Sequence, residues 1–245
     1  MNIIIFIMSC ERDRNNGWND AVRETYLKTW GDRIQHKFLI GGGSTGTISD
    51  GEPHIIGRSG KPPQEDELFL AVDDSYNGLS QKVRAAYRWA NCRYDYIFQA
   101  MGDTYVAVPR LLASGFEQHD YTGCVIDIPP YVGGGSGYCL SRRAYSIIAS
   151  NQDENIPIWD DLWIGNVLRD AGIAPHNDMR YWTDAHLVNG IVQGGGGAFP
   201  SWEQYIWDTG ILAAHLGRNT NQFKPLWMQE CHKSFLKNAR GGYGQ

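Results

Sequence analysis

The chain has 245 residues, a net charge of -5 and an apolar fraction of 42%. That length is enough to bury a large core and is long for one domain without requiring two. Such mild acidity gives no general reason to expect DNA or an anionic membrane as partner, although a local basic patch is compatible with it. The nine tryptophans and thirteen tyrosines fill a core or, where exposed, stack on sugars or bases. Five cysteines without a CxxC spacing argue against a disulfide framework or a zinc site. Cys10, Cys124 and Cys139 lie in or beside apolar runs and read as buried free thiols. Residues 1–8 are too short for a membrane span and lack a basic n-region and a cleavage site. They read as the first core strand of an intracellular protein.

A strand over residues 2–9 opens the chain, and a polar loop follows at 11–16. Ala21, Val22, Tyr26, Leu27 and Trp30 recur at helical spacing and predict a helix over 19–30. Asn19 or Asp20 is its candidate cap and Gly31 its stop. Residues 37–40 read as a second strand, 41–63 as a long polar loop, 68–72 as a third strand and 73–77 as the loop after it. An amphipathic helix over 79–90 leads to a strand over 96–99. The apolar run stops at Met101-Gly102-Asp103, and a helix follows at 109–114. Strands and helices thus alternate through the first half, which argues for an α/β fold with a mostly parallel open sheet and helices on both faces. The second half is less regular. It carries a strand over 121–128, glycine-rich 131–137, and helices over 141–150 and 160–171. A four-glycine run within 189–197 is a candidate hinge or lid. A strand over 207–216 and a basic tail after Cys231 complete the chain. No internal repeat or clean linker is visible, so one domain over 1–245 is expected.

Five segments carry chemistry. Asp103 stands at the end of a strand, where open α/β sheets bind ligands, and its hard oxygen suits Mg²⁺ or Mn²⁺. The alternative is a cap on the following helix. Arg23 either reaches a phosphate from the first helix or is an exposed helix arginine. Gly133, Gly134 and Gly135 let a substrate approach the backbone or make a flexible turn. They match neither the Walker A loop nor the dinucleotide pattern. Asp160 and Asp161 open a helix, where negative charge is favoured. One would cap and the other face the cleft as a general base. His215 ends a strand as a metal ligand or a structural histidine, with Arg218 or Lys224 available to phosphate and His186 as the competing candidate.

Taken in order, these segments resemble the β-1,3-galactosyltransferase and Fringe group, glycosyltransferase family thirty-one, of the GT-A fold. Arg23-Glu24-Thr25 with Thr29-Trp30-Gly31 is similar to a split form of the family's RxTWG segment. Asp74-Ser75-Tyr76 followed by Lys82 is similar to its Asp-x-Tyr loop and helix lysine. Met101-Gly102-Asp103-Thr104-Tyr105-Val106 resembles its metal motif, with Met101 and Gly102 where aspartates stand, so that one carboxylate is left. The glycines from Gly133 to Ser141, and Asp160-Asp161-Leu162-Trp163-Ile164-Gly165, resemble two further motifs. The likeness covers roughly residues 2–220.

The resemblance implies a single Rossmann-like GT-A domain, with a nucleotide-sugar half over 1–115 and an acceptor half over 116–245. It implies inverting transfer of a hexose or pentose from a nucleotide-sugar, most often UDP-linked. Mn²⁺ or Mg²⁺ would sit on Asp103 with His215, or alternatively His186. Arg23, Lys82, Asp103, Gly134, Gly135 and Arg218 would hold the donor. Asp161, beside Asp160, would be the base. The anchorless form looks like viral or bacterial members, cytoplasmic in a bacterium or an infected cell. The acceptor is then a hydroxymethylated pyrimidine in phage DNA, or a cell-surface glycan or protein, with no membrane partner. A non-catalytic sugar- or nucleotide-binding module is the reading from a different class.

Overall fold

The computed structural model describes residues 1–42, 62–127, 129–153, 155–182, 212–216 and 225–241. The first strand, β1 (Ile3–Met8), is buried along its whole length. Ile3, Ile5 and Ile7 belong to one core and Ile4, Phe6 and Met8 to another. Successive side chains of a strand point to opposite faces, so an unbroken apolar run marks a strand covered on both sides.

The polar segment after β1, expected as a loop, contains helix α1 (Glu11–Asn15). Its N-cap residue, Cys10, makes no side-chain cap bond; instead the Glu11 N–H donates to Asp74 Oδ2 at 2.7 Å. That acceptor comes from another loop, which is why no local signal marks the helix. The expected helix over 19–30 is present as α2 (Trp18–Val22), a π-helical turn (Arg23–Leu27) and α3 (Lys28–Trp30). Thr25 breaks it at φ -115° and ψ -110°, and its hydroxyl donates to the carbonyls of Ala21 and Val22. A π-bulge with an inserted hydroxyl is an ordinary cause of such a kink.

Next come β2 (Gln35–Gly41), β3 (Glu67–Leu70) and α4 (Leu79–Ala90). Leu79, Val83, Ala86, Tyr87 and Ala90 form the buried stripe of α4, and Asn91 ends it in a left-handed conformation. Then follow β4 (Tyr96–Met101), β5 (Thr104–Val106) and α5 (Val108–Leu112). The expected strand over 121–128 is split at Cys124 into β6 (Tyr121–Gly123) and β7 (Val125–Asp127). The latter pairs with β8 (Pro130–Val132) as a separate hairpin. The glycines lead into a strand, β9 (Tyr138–Ser141), before α6 (Arg142–Ser150) and α7 (Asp160–Asp170). Short β10 (His176–Asn177), β11 (Tyr181–Trp182), β12 (Ala213–His215) and the last helix, α8 (Pro225–Gly241), complete the described elements.

The main sheet has seven strands in the order β10-β6-β9-β4-β1-β2-β3. Neighbours are parallel except at β9, which runs antiparallel to β4 and β6. Helices α2 and α8 cover the Ile3–Ile5–Ile7 side, and α4, α6 and α7 cover the other. This is the expected α/β arrangement. The chain leaves β1 toward β2 on one side and reaches β4 on the other, so the strand order reverses between β1 and β4. Crevices at such switch points are where open α/β sheets take ligands. The four-glycine run at 189–197 and most of the expected loop at 41–63 lie outside the described residues, and no described helix is long and apolar enough to cross a membrane.

Candidate active site

A cavity of about 630 Å³ opens where β1 and β4 end side by side at Met8 and Met101. Ser9 and Asp13 line it after β1, Asp74 and Tyr76 ahead of α4, Lys82 within α4, and Asp103 after β4. A second cavity, of about 680 Å³, lies at the opposite end of the sheet, against the starts of β1 and β2. The first coincides with the strand-order reversal and holds Lys82 and Asp103, so it is the candidate site.

Asp103 sits in the turn between β4 and β5 and does not cap α5, whose N-cap is Ala107. Antiparallel pairing sets His215 opposite Thr104, and the Leu216 N–H donates to the Asp103 carbonyl at 2.9 Å. That register brings His215 Nε2 to 3.2 Å from Asp103 Oδ2. Both side chains keep about a fifth of their surface exposed, at 22% and 20%. Gly135 packs against the other side of the imidazole. A Cβ there would lie 2.8 Å from His215 Nδ1, so no larger residue fits without moving the ring. Thr104 locks the arrangement, its hydroxyl donating to the Gly135 carbonyl at 2.7 Å and accepting from the Met101 N–H at 3.1 Å.

A divalent cation fits this pair. Neighbouring ligands of octahedral Mg²⁺ lie about 3 Å apart, because each bond is ~2.0–2.1 Å. The carboxylate and imidazole donors, 3.2 Å apart, match that spacing. Among the described residues no cluster of three or more His, Cys, Asp or Glu side chains is poised for a metal. Such ions commonly take one or two protein ligands and complete their shell with water and substrate phosphate.

The same glycine turn fixes the base candidate. The Gly134 N–H donates to Asp161 Oδ2 at 3.0 Å, and the Leu162 N–H donates to Asp161 Oδ1 at 2.8 Å. Each carboxylate oxygen has two acceptor positions, so both keep one to spare. The glycines serve a histidine and a carboxylate through close packing and one N–H, where sequence offered close approach by substrate or a flexible turn. Asp160 is the buried partner, 7% exposed, and its Oδ2 has no hydrogen-bond partner. Burial, helped by the charge of Asp161, pushes its carboxyl up to about 7. Of the two helix-opening aspartates, Asp161 is thus the more exposed one.

Lys82, expected on the donor, is 1% exposed and donates to the Ser9 carbonyl and Asp74 Oδ1, each at 2.7 Å. Asp74 also accepts from the Gly41 N–H at 2.6 Å and from Glu11, so it ties the end of β2 and the start of α1 to α4, and Lys82 adds the segment after β1. Asp13, which sequence reasoning passed over, lines the cavity, and burial raises its carboxyl, with a smaller contribution from the charge of Asp103. The signal for it was an acid in the polar segment that follows the first strand. Burial and Asp13 push the neighbouring Cys10 thiol up to about 11, which keeps it protonated. All five cysteines are free; Cys124, Cys139 and Cys231 are buried, Cys10 is half-buried and Cys92 is exposed.

Arg23 stands apart from this group. Its guanidinium forks onto Asp66 at 2.8 Å twice, reaches Glu67 at 3.1 Å and lies over the Phe38 ring. Glu67 also accepts from Arg14 Nε at 2.9 Å on both oxygens, and both of those side chains are buried. Arg23 is neither the exposed helix arginine nor a residue of this cavity; it is committed to a part-buried ionic network with Asp66 and with Glu67 of β3. Arg218, Lys224 and His186 lie outside the described residues.

No family model matches the chain, and no curated protein matches it. Three solved structures are similar at low identity. The catalytic domain of Drosophila beta1,4-galactosyltransferase 7, in complex with xylobiose, shares 13% identity at a TM-score of 0.43, over 94% of this chain and 80% of that one. The glycosyltransferase GlyE of Streptococcus pneumoniae shares 11% at 0.45, over 98% of this chain and 64% of that one. A Desulfovibrio desulfuricans protein assigned as a nucleotide-diphospho-sugar transferase shares 10% at 0.42, over 97% and 98% of the two chains.

Proposed function

We propose that this chain is an inverting glycosyltransferase that moves a sugar from a nucleotide-sugar, most simply UDP-linked, to an acceptor hydroxyl. One observation carries the reading. A single glycine turn at the sheet's switch point holds both a carboxylate–imidazole pair suited to a cation and a separate, partly exposed carboxylate. The first can offset charge on a phosphate leaving group, and the second can take the proton of a hydroxyl nucleophile.

In the transfer, Asp161 accepts the proton of the acceptor hydroxyl as its oxygen bonds to the anomeric carbon. The bond from that carbon to the donor phosphate breaks, and the diphosphate leaves with the electron pair. Asp103 and His215 would hold Mn²⁺ or Mg²⁺, which supplies charge to offset the departing diphosphate. Lys82 and Asp74 keep the floor of the donor cavity rigid, and Arg218 is a candidate phosphate ligand. Asp160, its carboxyl pushed up to about 7 by burial, is the poorer proton acceptor and serves as the buried partner of Asp161.

The test is hydrolysis of a UDP-sugar panel with and without Mn²⁺. Asp161→Asn should lower the rate by about 10²–10⁴, the usual share of a general base. Asp103→Ala should remove the response to Mn²⁺. Hydrolysis as fast in both variants as in the wild type refutes the reading.

A further inference from the structure

Three aromatic side chains belong to the segments that adjoin the start of α7, where Asp161 stands. Tyr76 and Trp159, at 64% and 60% exposed, are the most exposed rings among the described residues. Trp159 immediately precedes α7. Tyr76 sits in the turn before α4 and also lines the cavity that holds Asp103. The two segments are fastened together, because the Ser80 hydroxyl donates to the Pro157 carbonyl at 2.6 Å, with the Ile158 carbonyl at 3.3 Å. Tyr131, on β8, packs so closely on α7 that a Cβ on Gly165 would lie 2.3 Å from its own. The charges of Asp160 and Asp161 act on the Tyr76 phenol and that of Asp161 on the Tyr131 phenol, while Arg12 and Lys82 line the same cavity as Tyr76.

Exposed rings held in place beside a functional carboxylate mark a binding surface. A pyranose offers such a surface an apolar C–H face for the ring and hydroxyls for the carboxylate. A nucleic acid would instead need a run of cations for its phosphates, and the residues that directly follow Trp159 are Asp160 and Asp161. We propose that Tyr76 and Trp159 form the acceptor platform, which takes a sugar ring of a neutral glycan and turns one of its hydroxyls toward Asp161. This deepens the transferase reading and rests on it for the word acceptor.

The experiment probes the full chain on an array of neutral glycans, anionic glycans and oligonucleotides containing hydroxymethylcytosine. The strongest saccharide is then titrated by saturation-transfer NMR against wild type, Trp159→Ala, Trp159→Phe and Tyr76→Ala. A neutral glycan should bind, each alanine should weaken it about tenfold, and phenylalanine should restore most of the affinity. Equal affinity in the alanine variants, preference for the oligonucleotide, or no neutral glycan bound each overturns the platform. Circular dichroism confirms that the variants fold. Wild-type UDP-sugar hydrolysis is read separately. Hydrolysis without glycan binding sinks the platform alone, while ring-dependent glycan binding without hydrolysis sinks the transferase reading alone.

Discussion

Replacing Asp160 by asparagine removes one ionisation from the interior while keeping the side-chain shape. In the folded chain burial and Asp161 raise this carboxyl from 3.8 to about 7. The sign follows from linkage. Between those two values the folded state holds a proton that the unfolded state has released, so wild-type stability falls as pH rises. Below 3.8 both states are protonated, and above about 7 both are ionised, so the loss stops at each end. Each pH unit inside the window costs about 1.4 kcal/mol. From pH 5 to pH 8 the wild type should therefore lose roughly 3 kcal/mol that Asp160→Asn does not lose. The asparagine adds buried N–H donors, with a pH-independent penalty of about 1–3 kcal/mol, so the informative quantity is the slope of the difference. Urea denaturation of both proteins at half-unit steps from pH 5 to 8.5 measures it. A difference that stays flat across that range would show that Asp160 is ionised normally and would remove the division of labour between the two aspartates.

Gly135→Ala should displace the His215 ring, because the added methyl would meet Nδ1 at 2.8 Å. Mn²⁺-dependent donor hydrolysis should fall by about 10²-fold, the scale of a misplaced catalytic group, and retained activity would argue against the cation pair. Lys82→Met should cost about 2–4 kcal/mol in urea denaturation, since it leaves the Ser9 carbonyl and Asp74 short of a buried donor. A loss under about 0.5 kcal/mol, as for a surface lysine, would contradict its place in the fold.

Several elements were legible in the chain because their signals are local. The apolar run of β1 and the stripe of α4 each repeat with the period of one element. Expected and observed boundaries differ little there: 2–9 against Ile3–Met8, and 79–90 against Leu79–Ala90. The split of 121–128 was not legible. Cys124 looks like any apolar strand residue, and what divides the run is that β6 finds β9 while β7 finds β8. Arg23 shows the same limit within the candidate site. Its helix position suggested exposure or a phosphate, whereas Asp66 and Glu67, more than forty residues on, claim its guanidinium.

The sequence by itself determined the alternation of strands and helices, the strand-end position of Asp103, and the two aspartates opening a helix. Those follow from periodicity and from residue chemistry within a few positions. Tertiary structure decided how they meet. Helix α1 exists where Asp74, 63 residues away, accepts its first N–H. Asp103 meets His215 across 112 residues through the pairing of β5 and β12, and Gly134 reaches Asp161 across 27. Which aspartate is buried, and which keeps some exposure, depends on what packs around each. A chain of letters carries no record of solvent exclusion or of distance between remote segments.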